Sequence, residues 1–73
     1  MDIRRQMGAN VRKCRLLRGW SQEDLAFESG LHRTYISGVE RGARNPTVLV
    51  VYELATALGV KPAQLLEEAK HSK

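Results

Sequence analysis

Breakers set the scale of this chain. Gly19, Gly30, Gly42 and Gly59, joined by Pro46 and Pro62, interrupt it so often that each segment between them is only a few helical turns long. No segment alternates convincingly at period two. Val48–Val51 is the only β-rich stretch, and it runs straight into Glu53-Leu54-Ala55-Thr56-Ala57-Leu58, which reads as helix. The expected fold class is therefore all-α. Ile3, Met7, Val11, Cys14 and Leu17 recur at three- and four-residue spacing and predict a first amphipathic helix, stopped by Gly19. Ser21 with Asp24 three residues on resembles a capping box. Trp20 before it and Leu25 inside fit a hydrophobic staple, so a second helix runs from about Gln22 to Glu28. Ser29-Gly30-Leu31 is a tight turn, and a third helix runs from about Arg33 to Arg41, with Gly42 as its stop. Ala43–Pro46 is a loop. Thr47 caps a fourth helix that ends with Leu58 before Gly59. Pro62 opens a fifth through about Ala69, leaving His71–Lys73 to fray.

The chain of 73 residues makes one domain, 1–73. A core this small rarely supplies more than roughly 3–5 kcal/mol, so the fold needs very regular helices, a metal, disulfides or a partner subunit. Cys14 is the sole cysteine, which excludes an internal disulfide and a cysteine-based zinc site, and it is expected inside the first helix's apolar face. His32 and His71 stand far apart without ligand company. There is no Ser/His/Asp set, phosphate loop or metal-ligand cluster, so neither an enzyme nor a cofactor is expected. The longest apolar run, Val48–Tyr52, is far short of a membrane span, and Ile3 is followed at once by Arg4 and Arg5, unlike a secretory signal. A cytoplasmic, self-associating domain with no membrane attachment is the expectation.

Charge falls in blocks. Residues 1–19 carry Arg4, Arg5, Arg12, Lys13, Arg15 and Arg18 against Asp2; residues 20–31 carry Glu23, Asp24 and Glu28; residues 32–45 carry Arg33, Arg41 and Arg44 against Glu40. The net +4 is thus concentrated in two basic stretches. A solvated, solubilising face accounts for this as well as nucleic-acid binding does. The short helices weigh on the choice. Two of them joined by a glycine turn have the sequence form of a helix-turn-helix, whose second helix enters the DNA major groove. Ile36 and Val39 face inward in the third helix, leaving Arg33, Thr34, Ser37 and Gly38 outward. That face has little bulk and suits close approach.

Gly19-Trp20-Ser21-Gln22-Glu23-Asp24-Leu25-Ala26, then Ser29-Gly30-Leu31, Thr34-Tyr35-Ile36-Ser37-Gly38-Val39-Glu40-Arg41-Gly42, Arg44-Asn45-Pro46-Thr47, Leu54-Ala55 and Ala57-Leu58-Gly59-Val60 resemble the phage-repressor-like (XRE-type) helix-turn-helix family. The stretch His32–Asn45, in a domain with no appended module, is especially similar to controller proteins of restriction–modification systems. The resemblance implies a compact five-helix domain, with the helix-turn-helix at about 21–41 and dimerisation through helices four and five, about 47–69. It implies a sequence-specific DNA-binding transcription regulator, a homodimer on double-stranded DNA carrying an inverted-repeat operator. Controller proteins activate and repress their own operon, so RNA polymerase is a further partner if this protein activates. Glu23, Asp24 and Glu28 are the acidic candidates for that contact. The alternatives are a phage or plasmid repressor, an antitoxin-type regulator, and a protein-interaction domain on a helix-turn-helix scaffold.

Arg33 falls where the family places a base-reading residue, and arginine is the commonest reader of guanine. Thr34 and Ser37 share its face, with hydroxyls able to bond bases or phosphates. The family carries a long polar side chain at position 38, where this chain has Gly38. Close approach to DNA and close helix packing each explain that glycine. Gln22 stands at the start of helix two, where backbone N–H groups favour a phosphate, and the resemblance implies that it touches the DNA backbone and braces helix three. Tyr35 is either a core ring with a wet hydroxyl or a ring edge against the DNA backbone, and the resemblance tilts towards the second. Arg41, Arg44 and Asn45 read as phosphate contacts, and Arg4, Arg5, Arg12, Lys13 and Arg18 as steering charges. The family pairs the positions of Arg15 and Glu40 as an internal salt bridge. It also makes Val48, Val51, Tyr52, Ala55 and Leu58 the inward face of helix four. That leaves Leu49 and Val50 outward, and with Leu65 or Leu66 they are the expected dimer contacts.

Overall fold

The computed structural model describes residues 2–68. They form α1 (Ile3–Leu17), α2 (Gln22–Ser29), α3 (Arg33–Glu40), α4 (Val48–Leu58) and α5 (Pro62–Leu65), with no strand among the described residues. Side-chain caps start four of them. Asp2 accepts from the Arg4 N–H at 3.0 Å. Ser21 Oγ accepts from the Asp24 N–H at 3.0 Å while the Asp24 carboxylate accepts from the Ser21 N–H at 2.8 Å. Thr47 accepts from the Val50 N–H at 3.2 Å, and Gln64 from the Lys61 N–H at 2.8 Å. Each bond satisfies a backbone donor that a helix start leaves unpaired. His32, at the start of α3, makes no such bond, so α3 depends on packing for its position.

Met7, Val11, Leu25, Ile36, Val39, Leu54, Ala55, Leu58 and Leu65 form the core. It draws on all five helices, which none of them could supply alone. Trp20 packs against this cluster from just outside the α2 cap, as a staple does.

Three details of the sequence expectation are corrected. The buried arc of α1 runs through Met7, Gly8, Val11 and Arg15, whereas Ile3 and Leu17 are exposed. The arc is rotated because a glycine and a neutralised arginine occupy it, and neither registers as apolar. In α4 the buried residues are Leu54, Ala55 and Leu58. Val48 is 87% exposed and Tyr52 58%, while Val50 packs against the core. An almost wholly apolar stretch has no phase of its own, so its neighbours decide which side is covered.

The third correction concerns the C-terminal helix. α5 stops at Leu65 instead of reaching Ala69, which with His71–Lys73 lies outside the described residues. Two side-chain amides of α1 end it. Gln6 Nε2 donates to the Leu66 carbonyl at 2.8 Å, and Asn10 Nδ2 to the Leu65 and Glu67 carbonyls at 2.9 and 2.8 Å. The carbonyls that another turn of helix would use are thereby taken. Leu65 itself is 0% exposed. It is a core residue, not a dimer contact.

Candidate nucleic-acid interface

α3 lies between α1 and α2 and is fixed at its C-terminal end by a buried ionic cluster. Arg15 Nε donates to Glu40 Oε2 at 2.7 Å, and a second guanidinium nitrogen donates to Oε1 at 3.0 Å. The pair is bidentate, with side chains only 8% and 3% exposed. The third guanidinium nitrogen donates to the Trp20 carbonyl at 2.8 Å, and Gln22 Nε2 donates to Glu40 Oε1 at 3.1 Å. One carboxylate therefore joins the last turn of α3 to α1 and to the first residue of α2. The hydrogen bond to Glu40 raises the Arg15 pKa above its ordinary value, outweighing the opposing effect of burial. The Arg15 guanidinium thus keeps its charge at any pH the fold survives.

Gly8 completes the α1–α3 crossing. A Cβ there would stand on the Val39 carbonyl oxygen and 2.7 Å from that of Glu40. Only a residue without a side chain lets the backbones approach this closely. The apolar spacing of the first helix does not single out Gly8.

With its inner side held, α3 turns Arg33, Thr34 and Arg41 to solvent, with Ser37 half-buried among them. Ser37 Oγ and Arg41 Nε are 3.5 Å apart. Arg33 borders a shallow hollow shared with Ser21, Gln22 and Glu23, at the start of α2. Gln22 therefore braces α3 through Glu40 while standing beside the hollow. Past α3, the Gly42 N–H donates to the Val39 carbonyl at 3.0 Å and the Ala43 N–H to the Gly38 carbonyl at 2.9 Å. These two bonds make a Schellman turn, which returns the loop over α3. Arg44 and Asn45 leave that turn exposed.

Gly38, open to two explanations in the sequence, has a third in the structure. It is buried, and a Cβ there would meet Arg44 Cγ at 2.8 Å and Nε at 3.3 Å. The Arg44 guanidinium stands 5.5 Å from the Tyr35 ring centroid. Tyr35 is half-buried and packs its ring on the core cluster. Spacing on α3 marks Gly38 as small but says nothing of a residue beyond the turn.

Arg18, expected among the steering charges, has structural partners. Its guanidinium lies 4.4 Å above the Trp20 ring and donates to the Leu58 carbonyl at 3.1 Å. Phe27, on the outer side of α2, is 85% exposed and was not singled out from the sequence. Among the described residues no group of side chains could hold a metal ion, and no helix is long and apolar enough to cross a membrane.

A short capped helix, a tight turn and a second helix presenting arginine and hydroxyls outward define a helix-turn-helix protein. The chain belongs to the helix-turn-helix family HTH_3, whose model matches residues 11–65. It is 49% identical over 67 residues to the control protein C.BamHI of Bacillus amyloliquefaciens, spanning 90% of this chain and 83% of that one. The crystal structure of the hypothetical transcription factor NHTF from Neisseria superposes with a TM-score of 0.89 at 45% identity, over 92% of this chain and 77% of that one. The restriction-modification controller protein C.Esp1396I, solved as a tetramer with its natural 35 base-pair operator, superposes with a TM-score of 0.81 at 37% identity, over 89% and 86% of the two chains. The relatives are transcription regulators and restriction–modification controllers, and the fold is theirs.

Proposed function

We propose that this protein is a sequence-specific transcription regulator that binds an inverted-repeat operator as a homodimer, and that it is the controller of a restriction–modification operon. The observation that carries the reading is the outward side of α3. Arg33, Thr34 and Ser37 stand free of bulk on a helix braced from within by Glu40, Arg15 and Gln22. In this reading Arg33, Thr34 and Ser37 read base edges in the major groove. Gln22, Tyr35, Arg41, Arg44 and Asn45 hold the DNA backbone and set the register. The likeness to C.BamHI and to operator-bound C.Esp1396I supports the controller role.

The whole described chain acts as one DNA-binding unit. Its dimer contact is drawn from the outward side of α4 and the turn after α5. Leu49 is 64% exposed and Leu66 45%, and Val48 and Tyr52 share the same exposed side of α4. Leu66 and Val48 also border one shallow apolar groove with Ile3 and Pro46. Val50, half-buried with one side packed on the core, stays in this set; Leu65 is withdrawn because it lies wholly within the core. If the protein activates transcription, Glu23, Asp24 and Glu28 on α2 are the acidic side offered to RNA polymerase.

The test is selection of random duplex DNA by the purified protein at about 0.15 M salt, because phosphate-driven binding depends on salt. Enrichment of an inverted repeat with half-sites about 34–36 Å apart is expected. Retention of DNA without enrichment would reduce the protein to a non-specific binder. No retained DNA would favour a protein-interaction role.

A further inference from the structure

We infer that Gly38 is a positioning residue for DNA binding: its missing side chain is a slot that holds Arg44 at the edge of the α3 recognition face. The inference rests on the reading of Arg44 as a DNA-backbone contact. Arg44 leaves the Schellman turn and folds back across α3, its Cγ, Cδ and Nε all crossing the space above Gly38. The guanidinium at its end stands 5.5 Å from the Tyr35 ring centroid, so the side chain crosses a glycine and carries its head to an aromatic ring. Thr34 and Ser37 occupy the neighbouring strip of the helix surface. Arg44 therefore borders the residues proposed to read bases, ahead of any contact with DNA.

A free arginine side chain loses rotamer entropy when it is immobilised. A slot that restricts it beforehand removes part of that cost from the binding step. A glycine in mid-helix otherwise disfavours the helix relative to alanine, and here the closest atoms a Cβ would meet belong to Arg44. Among the described residues, the three atoms nearest to such a Cβ all belong to Arg44. The glycine is explained by what it admits.

The experiment compares the parent protein with Gly38→Ala, Arg44→Ala and the double variant. Affinity for the duplex recovered by selection is measured from low to moderate salt. Nitrogen-15 relaxation of Arg44 Nε is measured on the free protein. The relaxation should report a restricted guanidinium in the parent and a mobile one in Gly38→Ala. Both single variants should lose roughly tenfold in affinity for each subunit and about two units of salt slope on the dimer's operator, as expected when one charge-assisted phosphate contact is lost at each of two half-sites. The double variant should bind no worse than Arg44→Ala alone, because both changes remove the same contact.

Parent-like affinity and slope in Gly38→Ala would overturn the inference. So would losses that multiply in the double variant, since the new methyl would then be acting on the DNA directly. An Arg44 Nε equally restricted in Gly38→Ala would show that the slot is not what holds it. Should Gly38→Ala lower the melting temperature, Arg44→Ala in the same chain must restore it, because Arg44 is what the new Cβ meets. Failure to restore it overturns the inference too. A parent protein that retains no duplex overturns the DNA reading itself, and the relaxation comparison distinguishes that failure from failure of the slot.

Discussion

Arg15, Glu40 and Arg33 carry opposite kinds of energy. Glu40 accepts three hydrogen bonds, from two Arg15 nitrogens and from Gln22, in a place almost closed to water. Removing one partner of such a pair strands the other charge in low dielectric and costs about 3–5 kcal/mol. Glu40→Ala should therefore remove most of the stability of so small a domain, read as the urea midpoint. Arg15→Met with Glu40→Leu should recover part of it, because the stranded charge is then gone. A loss below about 1 kcal/mol in Glu40→Ala would contradict the buried-pair account. Arg33, by contrast, is exposed, and its side chain makes none of the hydrogen bonds of the described residues. Arg33→Ala should leave the melting temperature unchanged, weaken operator binding by about 1–3 kcal/mol and relax specificity at one base pair. Equal weakening on every sequence would reassign Arg33 to the backbone. All three residues were visible in the sequence, Arg33 through its place on the outward side of helix three and Arg15 with Glu40 through the family resemblance. That Gln22 braces helix three was likewise implied by the resemblance; that it does so through the Glu40 carboxylate needed the two short helices to be set against each other in space.

At the scale of elements, starts and stops were written locally and faces were not. Ser21 with Asp24, Thr47, Gly42 and Pro62 act within a few residues of themselves, and the helices begin where those residues say. Which arc of α1 is buried depends on what α3 brings to it. Gly8 and Arg15 are covered because the Val39–Glu40 end of α3 rests on them. Gly8→Ala tests this crossing. Its methyl would meet backbone oxygens that cannot swing aside as a side chain can, so the helices must separate. A destabilisation of about 1–3 kcal/mol is expected by thermal unfolding, despite the better helix propensity of alanine. A stabilised Gly8→Ala protein would mean that the crossing is looser than described. The early end of α5 belongs to the same scale. Its continuation was predicted from local propensity, and amides from α1 some sixty residues away intercept the carbonyls instead.

For the whole molecule, the apolar residues that remain outside the core matter most. Val48, Leu49 and Tyr52 stand together on the outward side of α4, and among the described residues the core counts only nine. Burying such a ridge against a second copy is worth about 25 cal/mol per Å² of apolar surface and supplements a small core. Leu49→Glu should convert a dimer into monomers at low micromolar concentration, read by sedimentation equilibrium, with the helical spectrum of the monomer retained. An intact dimer would exclude this side of α4. Operator binding by the variant should fall more than any single DNA-contact change would cause, because two half-sites are no longer linked. The exposed ridge also explains why the α4 pattern misled. A helix apolar on most sides has one covered by its own fold and another available to a partner, and sequence periodicity cannot assign them.

What the sequence determined by itself was the number and order of the helices, the Ser21 and Thr47 caps, and the outward Arg33 and Thr34 of α3. Each of these is decided by interactions within about a turn of chain, or by a periodicity confined to one helix. Gly38, expected outward with Arg33 and Thr34, is buried. What only the tertiary structure decided was the rotation of α1 and α4, the short α5, the burial of Leu65, and the seating of Arg44 over Gly38. Each of these depends on a distant segment filling space or taking a hydrogen bond, and residues six to sixty positions apart have no local rule that couples them.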